Sequence, residues 1–237
     1  MLTWGSRFGV AGRGKHAVMS ILLAANDVQF SVSAFAPLAV GFFGLGTGYL
    51  IYGPQELFGL PGRDRAVDIS TGIWGIWMPG FMQFLAGTYL WIGLAWFHSF
   101  REAPLYMAAL AFTAYGVHWW AIGLTRALGG DPRPAGFMSI AFTVLSVLGA
   151  LVFFKASDPA VGILFVGLAG VYVCDLFASL GYREVSHDGG PPVRERTSLG
   201  DLGERMLGAV HLATGGWLMY LTFAATVNAA LGWTWWL

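Results

Sequence analysis

Long apolar runs separated by short polar stretches rich in glycine and proline dominate the chain. A helix needs about 20 mostly apolar residues to cross a bilayer, and six runs of about this length are present. We place the six spanning segments at about residues 35–53, 72–97, 105–128, 136–154, 161–181 and 206–231. The pattern therefore predicts an all-α membrane protein with a six-helix transmembrane domain over residues 34–231.

The segments outside this domain are more polar or too short to span. Residues 1–33 contain only a short apolar run, so we expect a tail with an interfacial helix. A cleavable signal peptide is the alternative, although no firm A-x-A cleavage site follows the run. The Gly-Gly-Pro-Pro sequence at 189–192 predicts a mobile polar loop over 182–205, and residues 232–237 form a tryptophan-rich C-terminal tail.

Composition supports a membrane location. Of 237 residues, 56% are hydrophobic and only 11% are charged, whereas a soluble domain carries about 25% charged residues. We therefore expect a multi-pass protein of the plasma or inner membrane, in contact with the lipid bilayer. Basic and acidic residues balance at 13 each, which indicates no nucleic-acid partner.

The first spanning segment is studded with small residues. Gly44, Gly46 and Gly48 would let neighbouring helices approach closely, while Phe43 and Thr47 lie one turn apart on one face. This spacing fits a pore-lining helix. It fits equally well the first of several ordinary lipid-embedded helices.

Polar residues inside spans are costly and usually face the bundle interior or a water-filled cavity. Gln83 is interpreted either as a pore amide or as the donor of an ordinary interhelical hydrogen bond. Asp175 could relay protons or simply remain neutral. His211 could titrate near neutral pH, although a structural role is the simpler interpretation, and His118 beside two tryptophans is expected at the membrane interface.

Sequence motifs for catalysis are missing from the chain. It has no H-E-x-x-H, no G-x-S-x-G and no P-loop, and no carboxylate pair is placed for acid–base chemistry. We therefore expect no enzyme activity, no cofactor and no metal site.

Three short motifs, one in each of the first three spans, carry a family resemblance. Ala36-Pro37-Leu38 followed by Phe43-Gly44 has the spacing of N-P-A-P-L-G-L-x-x-F-G, and residues 80–87 match G-x-x-Q-x-x-A-G. Residues 111–119 follow A-F-T-S-Y-G-x-F-W, with Ala114 at the serine and His118 at the phenylalanine. In these motifs the chain resembles the acetate uptake transporter family, which includes bacterial succinate–acetate permeases and fungal relatives that export acetate or ammonia.

The chain also departs from that family. Ala34-Phe35 replaces the family's Asn-Pro, and Leu90 replaces an acidic residue after the second motif. The stretch between the second and third motifs is longer than usual, and residues 87–90 within it resemble the six-helix urea and amide channels. These departures bear on the substrate more than on the fold.

The resemblance implies a homohexamer in which each six-helix protomer has its own pore. It also implies a narrow gate of Phe43, Tyr115 and Leu168, with Gln83 and Thr47 beside the pore. Residues Ala36, Pro37 and Leu38 would begin the first helix at the pore mouth, where free N–H groups favour a carboxylate. Asp175 and His211 are the candidates for a proton relay.

From these observations we expect a transporter or channel for acetate and similar small monocarboxylates, with succinate as a further candidate substrate, and with or without proton symport. The alternative is a channel for a small neutral solute such as urea, a short amide or ammonia. A membrane scaffold or sensor is a third possibility, which the series of pore-type motifs disfavours.

Overall fold

The computed structural model describes residues 35–186 and 193–237, with side chains from residue 38 onward. The predicted tail over 1–33 lies outside the described residues. The helices are α1 (Phe35–Phe58), α2 (residues 65–96), α3 (Pro104–Leu128), α4 (Arg133–Lys155), α5 (Pro159–Leu180) and α6 (Ser198–Leu231). Within the described part of the chain, α3, α4, α5 and α6 are each long and apolar enough to cross a membrane.

Helix α2 is continuous but changes its hydrogen-bonding pattern twice. Two α-helical segments, Arg65–Gly75 and Met82–Trp91, alternate with π-helical segments at Ile76–Phe81 and Ile92–Trp96. Pro79 lies within the first π segment. Because proline lacks an N–H group, it interrupts the regular ladder, and a π turn is one way for a helix to absorb the break.

Three of the helices have an N-cap residue whose side chain accepts a hydrogen bond from the first turn. Asp64 accepts a hydrogen bond from the Val67 backbone N–H at 2.8 Å, and Asp158 accepts one from Val161 at 3.1 Å. Thr197 caps α6 by accepting from the N–H of Gly200 at 3.1 Å. Each cap satisfies a donor that would otherwise be free at the helix start.

The predicted loop over 182–205 has more structure than the sequence suggests. Strands β1 (Tyr182–Val185) and β2 (Val193–Arg196) pair antiparallel, and α6 begins at Ser198. The prediction of a loop is therefore wrong for these residues, because the polar sequence does not reveal the pairing of the two strands or the cap at Thr197. Residues 187–192, which hold the Gly-Gly-Pro-Pro sequence, lie outside the described part.

Close helix contacts build the bundle. α1 packs along α6, α4 along α5, α5 on α6, and α2 on α3. At one α1–α6 contact, a Cβ atom added to Gly208 would lie only 2.8 Å from the carbonyl oxygen of Gly53. Glycine at such a crossing lets two backbones approach closely, which is how helices associate in lipid.

The tryptophan-rich tail folds back on the end of α6. Asn228 holds it with two hydrogen bonds of 2.8 Å, donating to the carbonyl of Trp235 and accepting from its N–H. The Tyr220 hydroxyl donates to the carbonyl of Trp236 at 2.8 Å. Asn228 therefore has a local structural partner.

Candidate functional site

A cavity of about 430 Å³ lies between α1, α3, α4, α5 and α6. It reaches the end of the bundle that carries the hairpin, where Arg63, Asp131 and Arg196 line it. At its inner end it is lined by Tyr49, His118 and Tyr172. We call the first end the mouth and the second the base.

One face of α1 forms a wall of the cavity. Tyr49, Tyr52 and Glu56 recur at helical spacing and all line it. Glu56 lies seven positions after Tyr49, so at 1.5 Å per residue the two lie about 10 Å apart along the cavity. Glu56 lies in this wall because α1 continues through Pro54 to Phe58, whereas the predicted span ends at residue 53.

Two acid–base groups face the cavity between mouth and base. The Nδ1 atom of His211 lies 2.6 Å from a carboxylate oxygen of Glu56, and the His211 ring packs on Tyr49 with centroids 4.4 Å apart. Asp175 accepts hydrogen bonds from the hydroxyls of Ser139 and Ser179, the latter at 2.9 Å. The structure thus brings together the two predicted proton-relay residues in one cavity.

The arginines at the mouth are each paired with a carboxylate. Arg126 donates to Asp68 at 2.9 Å and also to Gln55, and its guanidinium lies 4.7 Å from the ring centroid of Tyr52. Arg63 contacts Asp68 at 3.1 Å and Glu204 at 3.7 Å. Arg196 pairs with the same Glu204, so the three arginines share two carboxylates and their positive charge is only partly offset.

A further ion pair ties the hairpin to the turn between α3 and α4. Asp131 accepts from Arg133 at 2.8 Å and from Arg194 of β2 at 2.9 Å. The hydrogen bonds from Arg133, with a smaller contribution from Arg194, hold the pKa of Asp131 well below its ordinary value. This carboxylate is therefore charged throughout the physiological pH range.

An aromatic layer lies beyond the base of the cavity. We define the layer as Tyr115, Phe142 and Tyr172, whose ring centroids lie 5.1–5.7 Å apart. Leu168 lies one turn before Tyr172 on α5, and both Leu168 and Tyr115 are buried. Two residues of the predicted gate therefore lie directly beyond the end of the cavity.

The hydrogen bonds around the layer determine whether the Tyr115 hydroxyl donates or accepts. The Ser146 hydroxyl donates to the Phe142 carbonyl at 2.7 Å. Since its only hydrogen is used there, the contact of 2.9 Å between Ser146 and Tyr115 must be donated by Tyr115. The hydroxyl oxygen of Tyr115 is left as an acceptor.

The predicted gate residue Phe43 lies elsewhere. Its side chain is 43% exposed on the outer face of the bundle, whereas Phe42 is 2% exposed and packs on Phe112. One residue turns a helix by about 100°, so adjacent phenylalanines face different sides. The structure therefore does not bring Phe43 together with Tyr115 and Leu168, and Phe42 is the aromatic residue of α1 that faces inward.

The other residues predicted beside the pore do not line the cavity. Thr47 is half-buried on the same side of α1 as Phe43, and Gln83 is buried in α2. The Oε1 atom of Gln83 has no hydrogen-bond partner among the described residues. Ala36 and Pro37 lie in the first turn of α1, where side chains are outside the described part, and Leu38 is buried in the core.

Several residues of the site carry little signal in the sequence pattern. Glu56 lies beyond the predicted first span, Arg126 lies near the end of the predicted third span, and Phe142 is one apolar residue among many. The signal that could have found Glu56 is its helical spacing from Tyr49 and Tyr52. His118, predicted at the membrane interface, instead lies buried at the base of the cavity.

Comparison with solved structures identifies the architecture. The structure of the bacterial acetate channel SatP superposes with a TM-score of 0.59, covering 85% of this chain and 96% of that chain at 16% sequence identity. This chain has the fold of an acetate channel. The resemblance to the acetate uptake transporter family, inferred from three motifs, is thereby confirmed at the level of the fold. No protein-family model and no curated protein sequence matches the chain.

Proposed function

We propose that the protein is a membrane channel or transporter for acetate and similar small monocarboxylates. The observation that carries this proposal is an interior cavity that ends at a buried aromatic layer, in a fold shared with an acetate channel. Solute would enter at the mouth, descend past Asp175 and His211, and cross at Tyr115 and Leu168. A constriction of this kind excludes hydrated ions because it offers them too few polar groups.

We propose that all six helices span the bilayer and that the protomers form a homohexamer. Helix α1 has 24 residues, so it is about 36 Å long at 1.5 Å per residue, and it packs along the candidate span α6. This length exceeds the hydrocarbon thickness of about 30 Å. The family resemblance supports the hexamer, and the mass of the detergent-solubilised protein would test it.

The chemistry of the path favours an acid that crosses together with a proton. The Tyr115 oxygen can only accept a hydrogen bond, so it suits the O–H group of a neutral carboxylic acid better than a carboxylate, which is also an acceptor. Asp175 and the Glu56–His211 pair lie above the layer, where they could deliver that proton. Proton symport is therefore part of the proposal.

A channel for urea or a short amide is the second candidate. Arg63, Arg126 and Arg196 at the mouth share the carboxylates of Asp68 and Glu204, which weakens the electrostatic attraction that the mouth exerts on anions. The N–H groups of an amide would also suit the acceptor oxygen of Tyr115.

The experiment that separates the candidates is uptake of labelled acetate and labelled urea into matched proteoliposomes, with and without an inward proton gradient. Acetate accumulation that needs the gradient supports proton-coupled transport, and acetate equilibration without it supports a channel. Urea uptake without acetate uptake would contradict the proposed substrate class.

A further inference from the structure

His118 carries an unpaired polar atom at the base of the cavity. The side chain is 4% exposed, and its ring stacks on Phe142 with centroids 4.5 Å apart. Its Nδ1 atom lies 3.1 Å from the hydroxyl of Tyr172. Its Nε2 atom is buried and has no hydrogen-bond partner in residues 35–186 and 193–237 as described. A buried polar atom without a partner is costly and calls for an explanation.

The position of His118 makes a ligand the natural explanation. The imidazole lines the cavity directly above the aromatic layer, where any solute that crosses at Tyr115 must pass. The ring of His118 stacks on Phe142 like a purely apolar aromatic ring, and it also brings a group that can form a hydrogen bond to this point of the cavity.

We propose that Nε2 of His118 binds the carboxyl group of a short monocarboxylic acid at the base of the cavity, just before the acid crosses the aromatic layer. This inference rests on the proposed function and names the residue that selects the substrate at this site. If Nδ1 accepts from Tyr172, Nε2–H donates to the carbonyl oxygen of the acid. If Nδ1–H donates to Tyr172, Nε2 accepts from the O–H of the acid. A neutral carboxylic acid has both groups and so satisfies either tautomer.

Three substitutions separate a ligand-binding role from a structural one. His118→Phe keeps an aromatic ring against Phe142 but has no polar atom. His118→Gln carries its amide at the distance of Nε2 and can still reach a ligand. His118→Asn carries its amide at the distance of Nδ1 and can still reach Tyr172. Initial rates of labelled acetate uptake into proteoliposomes, measured against acetate concentration, give KM and the maximal rate for each variant.

We expect His118→Phe and His118→Asn to raise the KM for acetate by about 3- to 10-fold, the effect of one hydrogen bond, and His118→Gln to stay within about 2-fold of wild type. The maximal rate should change less than KM in all three. In the reverse pattern, His118→Asn keeps a KM near that of wild type and His118→Gln has a raised KM. This result would show that only the hydrogen bond to Tyr172 matters and would overturn the proposal. Unchanged KM values in all three would overturn it as well.

The substrate class is tested separately. If wild-type protein carries acetate but His118 variants behave like wild type, the proposed function stands and this inference fails. If wild-type protein carries urea and not acetate, both fail, because the ligand of His118 is then not a carboxylic acid.

Discussion

Leu168 offers the sharpest test of the gate. Its side chain is 2% exposed and lies one turn below Tyr172, immediately beyond the cavity. Substitution by alanine removes three carbon atoms from the closed packing beyond the cavity. Each buried CH₂ group contributes about 0.8 kcal/mol of packing free energy. The free energy needed to separate these side chains and open the path therefore falls by about 2 kcal/mol. Since 1.36 kcal/mol corresponds to a tenfold change in rate, Leu168→Ala should accelerate acetate flux by up to about 30-fold.

The assay is initial labelled-acetate flux into proteoliposomes that contain equal amounts of folded protein. The control is Leu151→Ala on α4, because that leucine is 64% exposed and remote from the cavity. Size selection should also relax in Leu168→Ala, so that longer monocarboxylates begin to enter. An unchanged flux in well-folded Leu168→Ala, or an equal increase in Leu151→Ala, would refute the assignment of Leu168 to the gate.

Three further predictions concern the relay, the inward face of α1 and the hairpin. Asp175→Asn should abolish the dependence of acetate uptake on an inward proton gradient while leaving the protein folded; wild-type gradient dependence in this variant would exclude the relay. Phe42→Ala should alter acetate flux and size selection whereas Phe43→Ala should not, and the opposite ranking in the flux assay would contradict the assigned faces. Asp131→Asn should lower the thermal unfolding temperature at pH 7. Because the pKa of Asp131 is depressed in the folded protein, the stabilisation is present above about pH 4, the ordinary value for Asp. The difference between wild type and Asp131→Asn in thermal scans should therefore shrink as the pH falls below that value, and a constant difference would argue against the ion pair.

The sequence predicts the positions of the helices well because apolar runs of membrane length are unambiguous. The ends are harder to predict. Pro54 suggests a stop, yet α1 continues to Phe58, and that extension is what brings Glu56 into the cavity. Packing against α6 at Gly53 and Gly208 holds the extra turns in place.

The faces of the helices could not be predicted from the sequence. A helix embedded in lipid is apolar on its outer side as well as its inner side, so no polar stripe marks which face points inward. The family resemblance implies Phe43 in the gate, and no polar stripe along α1 indicates that Phe42 faces inward instead. The pairing of Glu56 with His211, residues 155 positions apart, likewise depends on how α1 and α6 pack together.

If acetate crosses through the interior cavity, as proposed, blocking that cavity must stop the flux. Cys174 is the only cysteine, so Cys174→Ala provides a background for Ala135→Cys, which lines the cavity, and for Ala95→Cys, which is exposed and outside it. We predict that a water-soluble thiol reagent abolishes labelled-acetate flux in the first variant and leaves it unchanged in the second. Complete modification at position 135 with undiminished acetate flux would contradict the account.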